Sequence, residues 1–161
     1  MPEGSAVRLA LAPIRMKPVL RHLLTQYLVE FAAMEGSDIK RDTNGHVPYR
    51  YFDQYWSEPE RFPFGIWVDD ELCGFCLLRD SGEQWNIAEF FVAPVHRRKG
   101  IGAASVSALK EFCRLDGRYQ AIEASTLRFN ARALAFWRSQ DFMTVNETAD
   151  RLINVYQLRP C

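Results

Sequence analysis

The sequence predicts a single α/β (α+β) domain over residues 1–161, built on a mixed, mostly antiparallel β-sheet of six to seven strands flanked by helices. Its 161 residues, 48% of them apolar, are enough to bury one core and too few for two ordinary domains. Strand-like and helical patterns follow one another as β, α, loop, three β, α, β, α, β, β. There is no internal repeat. This order is typical of a mixed sheet covered by helices.

The charge balance points to no polyanionic or membrane partner. Twenty Lys and Arg residues match twenty Asp and Glu residues, so no global charge favours nucleic acid or a membrane surface. The N-terminus lacks the apolar core of a signal peptide, and no apolar run approaches the ~18 residues of a membrane helix. We therefore expect a cytoplasmic protein that binds neither nucleic acid nor membrane. Edge strands near the C-terminus are suited to pairing in a homodimer.

The four cysteines stand at positions 73, 76, 113 and 161. Cys73 and Cys76 form a CxxC motif, but a zinc site needs a second pair, and Cys113 and Cys161 are isolated. A redox motif would lie at the start of a helix, whereas this one lies in a strand-like run whose alternation separates its two thiols. We expect reduced, partly buried thiols and no metal.

The first elements follow from hydrophobic periodicity. Residues alternate from Val7 to Leu11, which predicts a first strand ending near Pro13. Pro18 suits the first turn of a helix. Apolar residues then recur at three- and four-residue spacing and predict a helix from about Met16 to Ala33.

Residues 35–63 contain glycines and prolines that break regular structure, together with a crowd of aromatic rings and interleaved acidic residues. One interpretation is a loop with a helical turn near 52–57 whose rings pack on the core. The other is a lid with aromatic walls and acidic groups suited to a cationic ligand. On this second interpretation Tyr51, Tyr55 and Trp56 are the candidate substrate-binding residues.

The remaining elements are marked by turns and caps. Asp69-Asp70-Glu71 is a hairpin signal between two strands, Gly117 predicts a helix end, and Asn130 is a good helix N-cap. The predicted strands are 64–69, 72–79, 84–92, 119–127, 142–146 and 152–158, and the predicted helices are 101–115 and 131–139.

A basic turn, Arg97 to Gly102, connects the strand ending near Val92 to the helix that follows. The first turn of a helix leaves backbone N–H groups unpaired and carries partial positive charge. Gly100 and Gly102 lack the side chains that would keep an anion from these groups. The sequence therefore predicts a phosphate or pyrophosphate site.

Two known phosphate motifs fit this turn poorly. A P-loop requires Lys and Ser or Thr after its second glycine, but Gly102 is followed by two alanines. Gly100-x-Gly102-x-x-Ser105 nearly matches the dinucleotide fingerprint, and Glu123 lies at the distance of a ribose-binding acid. That fingerprint normally opens the first βαβ unit, whereas here about sixty residues remain after it, so we disfavour it.

Val92-Ala93-Pro94-Val95-His96-Arg97-Arg98-Lys99-Gly100-Ile101-Gly102 resembles the acyl-CoA signature of the GNAT family of N-acetyltransferases. The residues Asn130, Ala133, Phe136 and Phe142 resemble the closing pattern of that family. The resemblance implies a GNAT-like domain that transfers acetyl from acetyl-CoA to a primary amine of a small molecule or peptide by direct attack. The alternative is an acyl-CoA-binding protein without catalysis. Residues 35–63, outside the resemblance, would be a variable acceptor-side loop.

The resemblance also implies roles for individual residues. Glu89 would be the general base. The turn would hold the pyrophosphate, the strand end would pair with the pantetheine arm, and two residues near the last helix would complete the site. The implied cofactor-binding residues are Phe91, Val92, Arg97, Arg98, Lys99, Gly100, Ile101, Gly102, Ala103, Asn130 and Phe136. Trp137 stands where the family places a proton-donating tyrosine, and Asp141 stands where it places a glycine.

Overall fold

The computed structural model describes residues 6–158, which form a seven-stranded sheet and three α-helices. In chain order these are β1 (Val7–Leu11), α1 (Lys17–Glu35), β2 (Arg61–Val68), β3 (Glu71–Asp80), β4 (Trp85–Val92), α2 (Ile101–Asp116), β5 (Ala121–Leu127), α3 (Ala131–Ser139), β6 (Met143–Glu147) and β7 (Arg151–Gln157). The order of strands and helices agrees with the sequence-based expectation.

The strands lie in the order β1-β2-β3-β4-β5-β7-β6. All neighbours in this sheet are antiparallel except β4 and β5, which are parallel. The predicted mixed, mostly antiparallel sheet is therefore confirmed. The parallel pair is also the shortest contact of the sheet, because Trp85–Ile87 pairs with Ile122–Ala124 and the two strands then diverge.

A β-bulge at Ala88 marks the point of divergence. Glu89 lies opposite Leu77 and Ile87 lies opposite Leu78, so Ala88 is an extra residue on β4. A bulge bends its strand and strengthens the local twist. The second half of β4 consequently leaves β5, and a fork opens between the two strands.

Both faces of the sheet are buried. Trp85, Leu109, Ile122 and Phe142 belong to a cluster between the sheet and helices α2 and α3. Leu24, Phe75, Leu77 and Phe91 belong to a second cluster beneath α1. Because the helices cover both faces, the opening at the fork is the place where β4 and β5 expose their edges.

The irregular segment between α1 and β2 is shorter than residues 35–63, the range that the sequence predicts. Helix α1 continues to Glu35 and ends at Gly36, which has a left-handed φ of 70°, and Arg61 already belongs to β2. The irregular segment is therefore 36–60. It contains the expected helical turn, a 3-10 turn at Asp53–Trp56, and its Phe52 and Tyr55 rings are buried in the α1 cluster.

Two helix ends agree with the sequence. Gly117 ends α2 with φ 77°, and Asp141, in the position where the family pattern has glycine, adopts φ 69°. Asp tolerates this left-handed geometry better than most residues, so the substitution preserves the turn after α3.

Three of the cysteines lie in the core. Cys73, Cys76 and Cys113 are free and buried, and burial raises the pKa of the Cys113 thiol to about 12. Cys161 lies outside the described residues. Across residues 6–158, no helix has both the length and the apolarity needed to cross a bilayer.

Candidate functional site

A cleft of about 860 Å³ opens at the fork between β4 and β5. Both diverging strands line it, together with α1 and the N-terminal parts of α2 and α3. The predicted site residues Glu89, Phe91, Val92, Arg97, Arg98, Gly100, Ile101, Gly102, Ala103, Asn130 and Phe136 all line this one cleft, and Lys99 lies outside its lining.

The base of the cleft is the N-terminus of α2. Gly100 precedes the helix with a left-handed φ of 76°, and the first helical bond runs from Ala104 N–H to Gly100 O at 3.1 Å. Within residues 6–158, the N–H groups of Ile101, Gly102 and Ala103 have no hydrogen-bond partner. These groups, at the positive end of the helix dipole, form an anion site.

The two glycines of the turn are required for different reasons. At Gly100 the reason is the backbone conformation, because a Cβ at this position would have nothing within 4 Å of it. At Gly102 the reason is space, since a Cβ would lie 3.2 Å from Cε1 of Phe136. The Phe136 ring in turn stacks on Phe90 with centroids 5.6 Å apart. Gly102 thus allows α3 to approach the start of α2.

The three basic residues of the turn, Arg97, Arg98 and Lys99, differ in their surroundings. Arg97 donates from Nη2 to Glu30 Oε1 at 2.7 Å and from Nε to Val92 O at 2.9 Å. Its charge is therefore balanced by α1, and its side chain fixes the turn. Arg98 is exposed and lines the cleft, whereas the exposed Lys99 lies outside the lining. Of the three side chains, only that of Arg98 is placed to meet a phosphate in the cleft.

Glu89 lies immediately after the bulge and faces the cleft from β4. Burial raises its pKa from the ordinary value of 4.5 to about 7, while the Tyr27 hydroxyl and the charge of Arg151 act in the opposite direction. A carboxyl group with a pKa near 7 exchanges protons readily at neutral pH.

Trp137 is buried among aromatic rings. Its ring centroid lies 5.3 Å from that of Phe90, 5.1 Å from Phe136 and 5.0 Å from Phe142. Tryptophan offers an N–H donor that does not ionise in this pH range. At this position the chain therefore has core packing in place of a phenol that can give up a proton.

Asn130 acts as the N-cap of α3, as predicted, and its Oδ1 accepts a hydrogen bond from Ala133 N at 3.1 Å. This cap fixes the start of the helix that carries Phe136 and Trp137. The side chain also lines the cleft.

The aromatic residues proposed for the acceptor lie outside the cleft lining. Tyr55 is buried in the core, Trp56 donates from Nε1 to Ala12 O at 3.0 Å, and Tyr51 packs against the guanidinium of Arg61 at 4.7 Å. Their assignment to the acceptor stays a prediction. Two tyrosines of this segment interact electrostatically with Glu89: burial and the charge of Glu89 raise the pKa of Tyr49, and both also raise the pKa of Tyr55.

The lid interpretation of the sequence would place the acidic residues of segment 36–60 around the cleft. Asp42 accepts hydrogen bonds from its own loop, Asp53 pairs with Lys17 at 2.8 Å, and Glu58 pairs with Arg61 at 3.2 Å. None of the acidic residues between 36 and 60 lines the cleft. They balance local cations instead.

Sequence reasoning missed three residues at the fork. Tyr27 follows the apolar periodicity of α1, and Tyr49 is one of several aromatic residues in segment 36–60, so neither stands out in the sequence. Arg151 begins β7 and lines the cleft beside Ser125, to which its Nη1 donates at 3.1 Å. Since 62 residues separate Glu89 from Arg151 in the sequence, no local motif signals that they face one cleft.

The cleft combines a strand fork, a helix N-terminus with unpaired N–H groups, and a carboxyl group whose pKa is about 7. This combination is typical of an enzyme that transfers a group from a phosphate-bearing donor. The model of the acetyltransferase (GNAT) family matches residues 24–142, and the chain belongs to this family. As a member of this family, the chain is an acyl-CoA-dependent acetyltransferase.

Solved structures show the same fold. An acetyltransferase from Thermus thermophilus is 20% identical with a TM-score of 0.73, covering 94% of this chain and 97% of its own. An acetyltransferase, PaiA, from Thermoplasma acidophilum in complex with coenzyme A is 13% identical with a TM-score of 0.72, covering 94% and 99%. A spermidine N-acetyltransferase from Vibrio cholerae in complex with CoA and spermine is 12% identical with a TM-score of 0.73, covering 94% and 95%.

No curated protein sequence matches the chain significantly. At identities of 20% or less, the structural matches establish the fold.

The residues of the cleft fit acetyl-CoA. The unpaired N–H groups at the start of α2 suit a pyrophosphate, and Arg98 adds a positive charge beside them. Beyond Ile87, β4 has no strand partner on its β5 side within the described chain, which leaves backbone groups for an amide-bearing arm. The cleft volume is within the usual range of a cofactor pocket.

Proposed function

We propose that the protein transfers an acetyl group from acetyl-CoA to a primary amine of a small molecule or peptide, by direct attack of the amine. The observation that carries the proposal is the position of Glu89, which lies at the opening of the strand fork with a pKa of about 7. The alternative, binding of acyl-CoA without transfer, gives no reason for a titrating carboxyl group at this point.

The donor is held by backbone groups of the chain and by the side chain of Arg98. The N–H groups of Ile101, Gly102 and Ala103 and the side chain of Arg98 bind its phosphates, and the open edge at Phe91 and Val92 binds the amide-bearing arm. Bound there, acetyl-CoA supplies a thioester carbonyl that an amine can attack.

Glu89 prepares the acceptor. A primary amine arrives as an ammonium ion, and its nitrogen has no free electron pair until a proton is lost. The Glu89 carboxylate accepts this proton, and the nitrogen then forms the new C–N bond as the C–S bond breaks. The bonding pair leaves with the sulfur.

With Trp137 at this position, the chain has no ionisable side chain there to protonate the leaving sulfur, and the reaction does not require one. A thiol has an unperturbed pKa of about 8.5, so the departing sulfur is stable enough to leave as a thiolate and to take its proton from water. After the attack the nitrogen still carries one proton more than an amide does, and it gives this second proton up to solvent as the amide forms. The first proton leaves Glu89 to solvent, so that two protons are released and the thiolate takes one back.

The experiment is a turnover assay in which release of the free thiol is measured with acetyl-CoA and a panel of amino acids, polyamines, aminoglycosides and peptides. We expect saturable turnover with at least one amine class. Saturable CoA binding with no turnover across the panel would contradict the proposal and support a non-catalytic acyl-CoA-binding protein.

A further inference from the structure

Arg151 provides a positive charge in the cleft and forms no direct ion pair with a carboxylate of the described chain. Its side chain is exposed and lines the cleft, and Nη1 donates to the Ser125 hydroxyl at 3.1 Å. Within residues 6–158 it forms no ion pair. A neutral hydroxyl leaves most of the guanidinium donors free for another acceptor.

Arg151 and Glu89 act on the same side of the sheet. Ser125, the partner of Arg151, is adjacent on β5 to Ala124, whose side chain lies in the α2–α3 cluster. Successive residues of a strand point to opposite faces, so Ser125 faces the α1 side. Glu89 pairs with Leu77 of the α1 cluster and faces the same side. The two charged groups thus lie across the fork from each other.

The two groups also interact electrostatically. The charge of Arg151 lowers the pKa of the Glu89 carboxyl and of the Tyr27 hydroxyl, an effect that falls off with distance and is screened by solvent. The lining of the same cleft includes the apolar residues Phe31, Met34 and Leu127. Apolar walls strengthen the attraction of an unpaired guanidinium for an anion.

The other charged residues of the cleft do not provide a second anion-binding group on the α1 side. Glu30 is paired with Arg97, and the acidic residues of segment 36–60 are absent from the lining. Arg98 lines the cleft from the turn before α2, and Arg132 lines it from α3, which packs on the opposite face of the sheet. Among the described residues, the α1 side therefore offers one proton acceptor, Glu89, and one anion-binding group, Arg151.

We propose that the acceptor amine also carries a carboxylate, so that Arg151 binds the carboxylate while Glu89 receives the proton of the ammonium group. This inference rests on the proposed acetyl transfer and narrows its substrate class to amino carboxylates, with amino acids as the simplest members. Guanidinium and carboxylate are matched in geometry and form paired, charge-assisted hydrogen bonds. A polyamine presents only positive charge and would be repelled by Arg151.

The first test compares matched amines with and without the carboxylate: phenylalanine with phenethylamine and phenylalaninamide, and glutamate with spermine. We expect kcat/KM to be about 10- to 100-fold higher for the amino carboxylates, as one charged hydrogen-bonding pair contributes. A series of ω-amino acids of increasing length then gives the preferred spacing between the two groups.

The variant Arg151→Gln should lose this preference through a rise in KM for amino carboxylates, with little change for the amides. The assay is run at about pH 8.5, where Glu89 is ionised in both proteins. Arg151→Lys should recover part of the affinity. Arg128→Gln is the matched control, since Arg128 bonds to Glu147 and Thr148 outside the cleft, and it should behave as the parent protein.

A second readout does not require turnover. Millimolar phenylalanine should raise the melting temperature of the parent protein without acetyl-CoA, and phenethylamine and the Arg151→Gln variant should show no such shift. Equal kcat/KM with and without the carboxylate, or the highest kcat/KM for spermine, would overturn this inference and leave acetyl transfer intact. Absence of turnover with every amine would instead overturn the proposed function, and the thermal shift would still report on Arg151.

Discussion

At the scale of single residues, the chemistry depends on the ionisation of Glu89. The carboxylate is the form that accepts a proton, so kcat should rise with pH through about 7 and level off above it. The Glu89→Gln variant should lose this rise and about 10²- to 10⁴-fold of kcat, the usual contribution of a general base. The measurement is kcat against pH for both proteins with one amine.

The affinity for CoA is the control for this variant and should be unaffected, since the proposed phosphate site at the start of α2 does not include Glu89. Tyr27 from α1, Tyr49 and Tyr55 from segment 36–60, and Arg151 from β7 all act electrostatically on Glu89 or are acted on by it. A variant that keeps the parent's pH profile would remove Glu89 from the base role.

Gly102 allows a test of the donor site. Because a Cβ at this position would lie 3.2 Å from the Phe136 ring, Gly102→Val must displace that ring or fill the space in front of the helix N–H groups. We expect CoA affinity to fall at least about tenfold, as for loss of a charge-assisted hydrogen bond. Isothermal titration with CoA measures it.

Gly100→Ala is the companion variant, since position 100 has space for a methyl group but a φ of 76°. It should lower the free energy of unfolding by about 1–2 kcal/mol and weaken CoA binding less than Gly102→Val does. Unchanged affinity in Gly102→Val, in a folded protein, would show that the start of α2 does not hold the donor.

At the scale of elements, helix α3 depends on its cap. Asn130→Ala removes the acceptor for Ala133 N–H and should cost about 1 kcal/mol of unfolding free energy. Asn130→Asp keeps an oxygen in the same place and should cost less. Urea denaturation of the three proteins measures the difference, and equal stability of the alanine variant would show that the cap does not stabilise α3.

Elements fixed by local chemistry could be predicted from the sequence, and those fixed by distant contacts could not. The Asn130 cap, the Gly117 helix end and the turn at Asp141 are each set by neighbouring residues, and the structure has them as predicted. By contrast, Arg97 pairs with Glu30 across 67 positions. A run of three basic residues gives no sign that one of them is already neutralised.

The fork between β4 and β5 also could not be predicted from the sequence. Its origin is the bulge at Ala88, and alternation of apolar residues along β4 predicts a strand without revealing an extra residue. The sequence therefore predicted the strand, the turn and the position of Glu89 on that strand. It did not predict which residues surround Glu89, because the fold brings them together from distant parts of the chain. Tyr27, Tyr49 and Arg151 reach it from three elements that have no motif in common.

At the scale of the whole molecule, Glu89 links stability to pH. Its pKa is about 7 in the folded protein and 4.5 ordinarily, so the folded state holds a proton that the unfolded state has released between these values. The free energy of unfolding should therefore fall as pH rises from 4.5 to 7, by up to about 3 kcal/mol from this group. Above about pH 7 this contribution is constant.

The Glu89→Gln variant removes this ionisation. Its stability relative to the parent should increase between pH 4.5 and 7 and then stay level, as measured by urea denaturation at several pH values. A difference that does not change with pH would mean that the carboxyl group ionises alike in the folded and unfolded chains.

Trp137 gives the molecule an intrinsic optical signal. All four tryptophans belong to the described part of the chain, and Trp137 is the one that lines the cleft. It is buried against Phe90 and Phe136. Indole emission responds to the polarity and the quenching groups around the ring. Filling the cleft should therefore change the fluorescence of the protein, so that occupancy can be followed during a titration without any attached dye.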